Sequence, residues 1–334
     1  MAAVDVVVVG AGVVGLTTAI TLAEAGLTTR IVAAEPPSRV TSVAAGAIWG
    51  PVRCGPPERC YEWANTGLDV LRALTDEPSA GVHQLSGREL SATGATPPGW
   101  LDQLPGTRLL AAEELPAGYT SGWDYTAPSI NMPAYLEYLL GWFADLGGSV
   151  GYETVASLAG LDAPVVVNCT GIGARTLVPD DTVVPVRGQV VVVENPGIAE
   201  FYLDHKDGGP DYVYLFPHGD RVVLGGTAHE GASDWAPRPE VSRRILRDVA
   251  AVFPELRDAR VVAERVGLRP VRPEVRLEPA ELPAGSGGPA GQVLWHNYGH
   301  GGAGVTLSWG CARELTEALL AGHRATQDAG RNGR

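Results

Sequence analysis

Gly10-Ala11-Gly12-Val13-Val14-Gly15 decides how the chain begins to fold. The run from Asp5 to Val9 before it is almost wholly valine and reads as a buried strand. Val13 to Ala25 after it reads as a helix, and Thr29 to Ala33 as a second strand. Strand, glycine turn, helix and strand make a βαβ unit, the building block of a parallel sheet. In that setting the glycines have separate tasks. Gly10 permits the tight turn, Gly12 lets backbone approach a pyrophosphate, and Gly15 allows helix and strand to pack closely. Ala11, Val13 and Val14 complete the turn, where the helix start offers free N–H groups and a positive dipole to phosphates. Glu35 closes the second strand, 35 − 15 = 20 residues beyond Gly15, where its carboxylate can accept hydrogen bonds from the ribose hydroxyls of an adenosine. A dinucleotide is therefore expected, and the motif does not choose between NAD and FAD.

The rest of the chain continues this pattern and then changes. Prolines and glycines from Gly94 to Gly106 mark a loop. Met132 to Leu146 reads as a helix with Pro133 in its first turn, and Pro164 to Asn168 as a short buried strand. Gly188 to Glu194, Tyr212 to Phe216 and Arg221 to Gly225 follow one another with turns between, as in an antiparallel sheet. Pro239 to Phe253 reads as an amphipathic helix and Pro283 to Gly291 as a mobile loop. A strand, Gln292 to His296, a glycine-dense segment and a helix from Val305 to Ala321 close the chain. The expected fold is α/β, with a Rossmann-like dinucleotide domain and a second, antiparallel-sheet substrate domain. The first is discontinuous (1–80, 130–180 and 290–334), and the second takes 81–129 and 181–289.

With 334 residues, about two domains are expected at about 150 residues each. Hydrophobic residues make up 45%, enough for a large core, which excludes global disorder. The formal charge, 25 − 38 = −13, argues against nucleic acid or an anionic membrane as partner. Val6 to Leu16 is too short for a membrane span and carries no basic leader. The four cysteines include no C-x-x-C pair, and His205, His218 and His229 show no metal spacing, so no metal is expected. Cys54 and Cys60 are expected as free thiols in a reducing cytoplasm. Oligomeric state is open, with a homodimer as the state to test.

Five segments narrow the class: Thr41-Ser42-Val43-Ala44-Ala45-Gly46; Val167-Asn168-Cys169-Thr170-Gly171; Tyr212-Val213-Tyr214-Leu215-Phe216-Pro217 running into Leu224-Gly225-Gly226-Thr227; Gly267-Leu268-Arg269-Pro270-Val271-Arg272-Pro273; and His296-Asn297-Tyr298-Gly299-His300-Gly301-Gly302-Ala303-Gly304-Val305-Thr306. Together, in this order and over most of the chain, they resemble the D-amino-acid oxidase family. The resemblance implies non-covalent FAD, with hydride transfer from a D-amino acid to flavin N5. It also implies molecular oxygen as co-substrate and a 2-oxo acid, ammonia and hydrogen peroxide as products. It assigns Arg269 and Tyr214 to the substrate carboxylate, the Gly302 carbonyl to the amino group, and Tyr212 to the same site. Thr41, Ser42, Gly46, Ala47, Val155, Thr170, Gly299, Gly301, Gly302, Gly304, Val305 and Thr306, with Arg269 itself, are assigned to the flavin. The chemistry fits: a planar, bidentate guanidinium fixes a carboxylate in orientation as well as position. Tyr212, Tyr214 and Phe216 alternate along a strand and are expected on one face.

Taken alone, Arg269 is as readily a solvated arginine, and Tyr214 a core tyrosine. His300 is expected to pack near flavin rather than act as a base, and His296, Cys169 and Cys311 to be buried structural residues. Ala303 stands where many relatives carry a bulkier residue, and Pro36 where some carry a basic one. Ala228 stands where the D-aspartate oxidase branch tends to place a basic residue, which favours neutral D-amino acids. The alternatives are D-aspartate oxidase, glycine or sarcosine oxidase, an NAD-dependent dehydrogenase and a non-catalytic flavin-binding protein.

Overall fold

A computed structural model describes residues 4–52, 54–205, 209, 211–281 and 291–332. The chain opens with β1 (Val6–Val9), α1 (Val13–Glu24), β2 (Thr29–Ala33), α2 (Pro57–Ala73), β3 (Val82–Ser91), β4 (Arg108–Leu109) and β5 (Ser121–Ile130). Next come α3 (Met132–Asp145), β6 (Ser149–Tyr152), β7 (Val165–Asn168), α4 (Ala174–Leu177), β8 (Val184–Glu194), β9 (Phe201–His205) and β10 (Asp211–His218). β11 (Arg221–Thr227), β12 (His229–Glu230), α5 (Pro239–Val252), β13 (Val261–Ala280), β14 (Val293–His300) and α6 (Gly304–Asn332) complete it.

The valines of β1 are buried on both faces, which suits a strand inside a parallel sheet covered on both sides. β1 pairs in parallel with β2 and β7, β2 with β6, and β7 with β14. Leu16, Ile20 and Leu22 of α1 join Leu307, Cys311 and Leu315 of α6 and Trp63, Leu68 and Leu71 of α2 in one core beside this block. The second block is antiparallel from β10 through β11 and β8 to β13. Beyond β10 it continues through β9, β3, β5 and β4. Val241, Ile245 and Val249, on one face of α5, cover Val191, Val193, Leu215, Val222 and Leu224 of this block.

The two blocks are stitched by one long strand. β13 pairs with β8 from Val261 to Val271 and with β14 from Val271 to Ala280. It bulges between Val271 and Arg276, where Pro273 has no N–H to give to a ladder. Strand β13 was not foreseen, because Arg, Pro and Glu interrupt any alternation. β3 and β5, which flank the 94–106 loop, were not foreseen either. β14 runs on through the glycine-dense segment to His300, and α6 is longer than expected. The loop expected over Pro283 to Gly291 lies, except for Gly291, outside the described residues. Among the described residues, no helix is long and apolar enough to cross a membrane and no group of His, Cys, Asp or Glu could hold a metal. All four cysteines are free thiols, with Cys60, Cys169 and Cys311 buried.

Asp180 fastens the bulge. Its Oδ2 accepts hydrogen bonds from the Tyr298 hydroxyl at 2.8 Å and Arg272 Nε at 3.1 Å, and its Oδ1 accepts from Thr182 N at 3.0 Å. Arg276 Nη1 donates to the same Tyr298 hydroxyl at 2.7 Å. Burial would raise the Asp180 pKa, but the bonds from Thr182 and Tyr298 and the Arg272 charge outweigh it and hold the carboxyl at about 2. Its ordinary value is 3.8, so its contribution is complete above that and disappears as pH falls through about 2. Near neutrality, Asp180→Asn should cost about 2 kcal/mol of unfolding free energy, at about 1.4 kcal/mol per pKa unit. In urea titrations at several pH values, the gap to wild type should close between about pH 4 and pH 2. A gap independent of pH would contradict this role.

Candidate active site

The glycine turn does what its spacing requires. Gly10 has φ +112°, a conformation open to glycine, and its N–H donates to Val32 O at 2.8 Å. A Cβ on Gly15 would lie 1.9 Å from Gly10 O, so α1 reaches β1 only because that position is bare. Gly12 caps α1 without a side chain, and the first turn of α1 holds no acidic residue. The positive helix end therefore stays open to an anion. Ser42 supports it, accepting from Val13 N at 3.1 Å.

From this turn a cavity of about 640 Å³ extends past Glu35 and Arg39 at one end and reaches Gly188, Trp235, Arg269 and Gly302 at the other. Arg269 Nη1 donates to the Thr227 carbonyl at 2.9 Å. Among the described residues Arg269 has no carboxylate partner, so its remaining donors are available to a ligand. Gly188 makes room for it: a Cβ there would fall 2.5 Å from Arg269 Nη1. Gly302 faces the Arg269 stem: a Cβ there would lie 3.9 Å from Arg269 Cδ.

Ala11, Gly12, Val13, Val14, Glu35, Thr41, Ser42, Val155, Thr170, Gly301, Gly304 and Val305 line the same cavity. Several of the other expected contacts are engaged elsewhere. Gly46 O accepts from His218 Nε2 at 2.8 Å, and Ala47 O accepts from Ile130 N at 2.9 Å. Thr306 Oγ1 donates to Gly50 O at 3.1 Å, and Gly299 packs on the Arg272 stem. Thr41, although at the cavity, exchanges hydrogen bonds with the Leu268 backbone and so tethers the strand that carries Arg269.

Tyr214 stands at the edge of the site. A Cβ on Gly225 would meet its ring at 1.9 Å, and its hydroxyl lies against Gly226, next to the carbonyl that binds Arg269. Burial raises the Tyr214 pKa, and the Arg269 charge opposes the shift. Its ring centroid lies 5.2 Å from that of Phe216, as the alternation predicts. A bulge between Asp211 and Tyr214 interrupts the pairing of β10 with β11, and the Tyr212 phenol lies close enough to raise the Tyr214 pKa further. Neither tyrosine is among the residues lining the cavity.

His300 lines the cavity, and burial lowers its pKa to about 4, so its ring is neutral near neutral pH. Its Nε2 is buried and has no partner among the described residues. An unpartnered buried polar atom beside an open helix start and a long, glycine-walled cavity fits a bound dinucleotide. His296 is buried and bonded through Nδ1 to Asn168 Nδ2 at 3.3 Å. The sequence alone did not point to Arg39, Gly188 or Trp235. Arg39, 3.7 Å from Glu35, places a cation at the end of the cavity where Pro36 offers none.

Residues 5–318 match the family model described as FAD dependent oxidoreductase. The chain is similar to the D-amino-acid oxidase of Rubrobacter xylanophilus, 47% identical over 95% of both chains. It is also similar to the D-amino-acid oxidase of Streptomyces coelicolor, 48% identical over 93% of this chain and 95% of the relative. Among solved structures, glycine oxidase from Bacillus cereus superposes with a TM-score of 0.74 over 95% of both chains at 18% identity, a likeness of fold.

Gly15→Ala should leave the protein folded but cut retained flavin at least about tenfold, because the turn must shift by more than side-chain motion can absorb. Absorbance near the flavin band after gel filtration reads this directly. Wild-type flavin content in the variant would contradict it.

Proposed function

This chain belongs to the FAD-dependent oxidoreductase family of the D-amino-acid oxidases, and on that premise we propose that it deaminates neutral D-amino acids at the Arg269 end of the cavity. It is an enzyme and FAD is its cofactor. The observation that carries the site assignment is a guanidinium without a carboxylate partner in the same cavity as the dinucleotide turn.

When bound, FAD supplies the hydride acceptor and returns the electrons to oxygen, which leaves as hydrogen peroxide. The protein supplies orientation. Arg269 binds the α-carboxylate, and Tyr214, beside Gly226, adds a hydroxyl to the same group. The Gly302 carbonyl accepts a hydrogen bond from the amine. The amine enters neutral, so its nitrogen lone pair can stabilise the carbon that loses hydride, and no side-chain base is required. His300, buried and neutral, is consistent with that. The imino acid then hydrolyses in water to a 2-oxo acid and ammonia. Ala228 adds no positive charge for an acidic side chain, which favours neutral substrates over D-aspartate.

Residues 1–80, 130–180 and 290–334 form the FAD-binding part in this reading, and 81–129 with 181–289 the substrate part. The parallel pairing of β1 with β2 and β7, of β2 with β6 and of β7 with β14 in the first, and the antiparallel run from β10 through β11 and β8 to β13 in the second, support the division, although β3 and β9 pair in parallel within the second. Four free thiols suit a reducing, cytoplasmic setting.

Anaerobic D-alanine should bleach the oxidised flavin spectrum of the purified protein; an unchanged spectrum with every neutral D-amino acid would sink the reading. Arg269→Ala should raise KM for D-alanine well beyond tenfold while FAD stays bound, since a lost charge-assisted bond is worth about 1.5–3 kcal/mol. Gly188→Ala should act in the same direction by displacing the guanidinium. Normal kinetics in Arg269→Ala would refute the carboxylate role.

A further inference from the structure

Trp235 is 47% exposed, yet it is not a loose surface residue. It lies on the connection between β12 and α5 and lines the cavity together with Gly188 and Arg269. The backbone on both sides of it is pinned. Gly231 N donates to Pro185 O at 2.8 Å. The fully buried Arg187 donates from Nε to Asp234 O at 3.0 Å and from Nη2 to Ala236 O at 2.6 Å. Gln189 accepts from Arg238 N at 2.9 Å and donates to Arg238 O at 3.0 Å.

Arg187 and Gln189 are two residues apart on β8 and share one face, while Gly188 between them faces the other way. On that other face, a Cβ at Gly188 would strike the Arg269 guanidinium. Three consecutive residues of one strand therefore leave room for the guanidinium and pin the backbone on both sides of Trp235. Asp234 is paired with Arg187 and Arg238, so the charge next to Trp235 is neutralised. Tyr298, the other large aromatic lining the cavity, is buried and donates its hydroxyl to Asp180.

A half-exposed indole that lines the cavity from a pinned stretch of backbone has apolar surface left for a partner. We propose that Trp235 is the specificity-determining wall of the substrate site, packing against the side chain of the bound amino acid and favouring large apolar and aromatic side chains. This rests on the oxidase reading, in which Arg269 anchors the α-carboxylate and leaves the side chain to find a surface in the same cavity.

The test is kcat/KM for D-phenylalanine and D-alanine in wild-type, Trp235→Ala and Trp235→Phe holoenzymes matched for FAD content. Trp235→Ala should lower kcat/KM for D-phenylalanine about tenfold more than for D-alanine, about 1.4 kcal/mol of discrimination, mainly through KM. Trp235→Phe should recover most of that ratio, which a general loosening of the loop would not do. A ratio unchanged in Trp235→Ala, or an equal loss on both substrates, overturns the wall while leaving the oxidase reading intact. A wild-type enzyme that turns over neither substrate overturns both.

Discussion

One strand held in two ladders governs this molecule. β13 pairs with β8 through its first half and with β14 through its second. Backbone hydrogen bonding thereby couples an antiparallel sheet to a parallel, dinucleotide-type sheet without a flexible joint. Arg269 and Pro270 lie just before the changeover, so the guanidinium is delivered to the boundary between the blocks. Asp180, Arg272 and Tyr298 close the bulge that follows. Because the strand is shared, a shift of either block would move the arginine relative to the glycine turn.

Around that seam the sequence makes space rather than adding reagents. Gly15 lets α1 meet β1, Gly188 clears the guanidinium, and Gly225 and Gly226 clear the Tyr214 ring. The functional side chains are few and fixed. Arg269 is held by one backbone carbonyl, and His300 is buried and neutral. This economy suits a flavoenzyme, in which the cofactor carries the electron chemistry and the protein sets geometry. It also concentrates selectivity in whatever surface meets the substrate side chain.

How much of this could be read from the chain depended on the range of the contacts involved. The valine run of β1, the glycine spacing and α1 are local signals with short periods, and they appeared where expected. The strands of the antiparallel block were legible wherever apolar residues alternated. β13 was not, because Arg265, Arg269, Pro270, Arg272 and Pro273 hide its extended conformation. Tyr212 was grouped with Tyr214 by simple alternation, which carries no sign of the bulge that lies between Asp211 and Tyr214. Gly188 and Trp235 left no local signal at all. Their importance comes from residues far away in sequence, Arg269 across the ladder and Arg187 beneath the loop, and only the folded chain joins them.

The central claim is that a substrate carboxylate and the flavin occupy one cavity, with Arg269 between the two sheet blocks as the anchor. A crystal structure of the FAD-loaded protein with a bound, unreactive 2-hydroxy acid tests it most directly. The account predicts the carboxylate on the Arg269 guanidinium, inside the cavity that also holds the flavin. A carboxylate bound elsewhere, or an Arg269 head group turned away from the flavin, would contradict it.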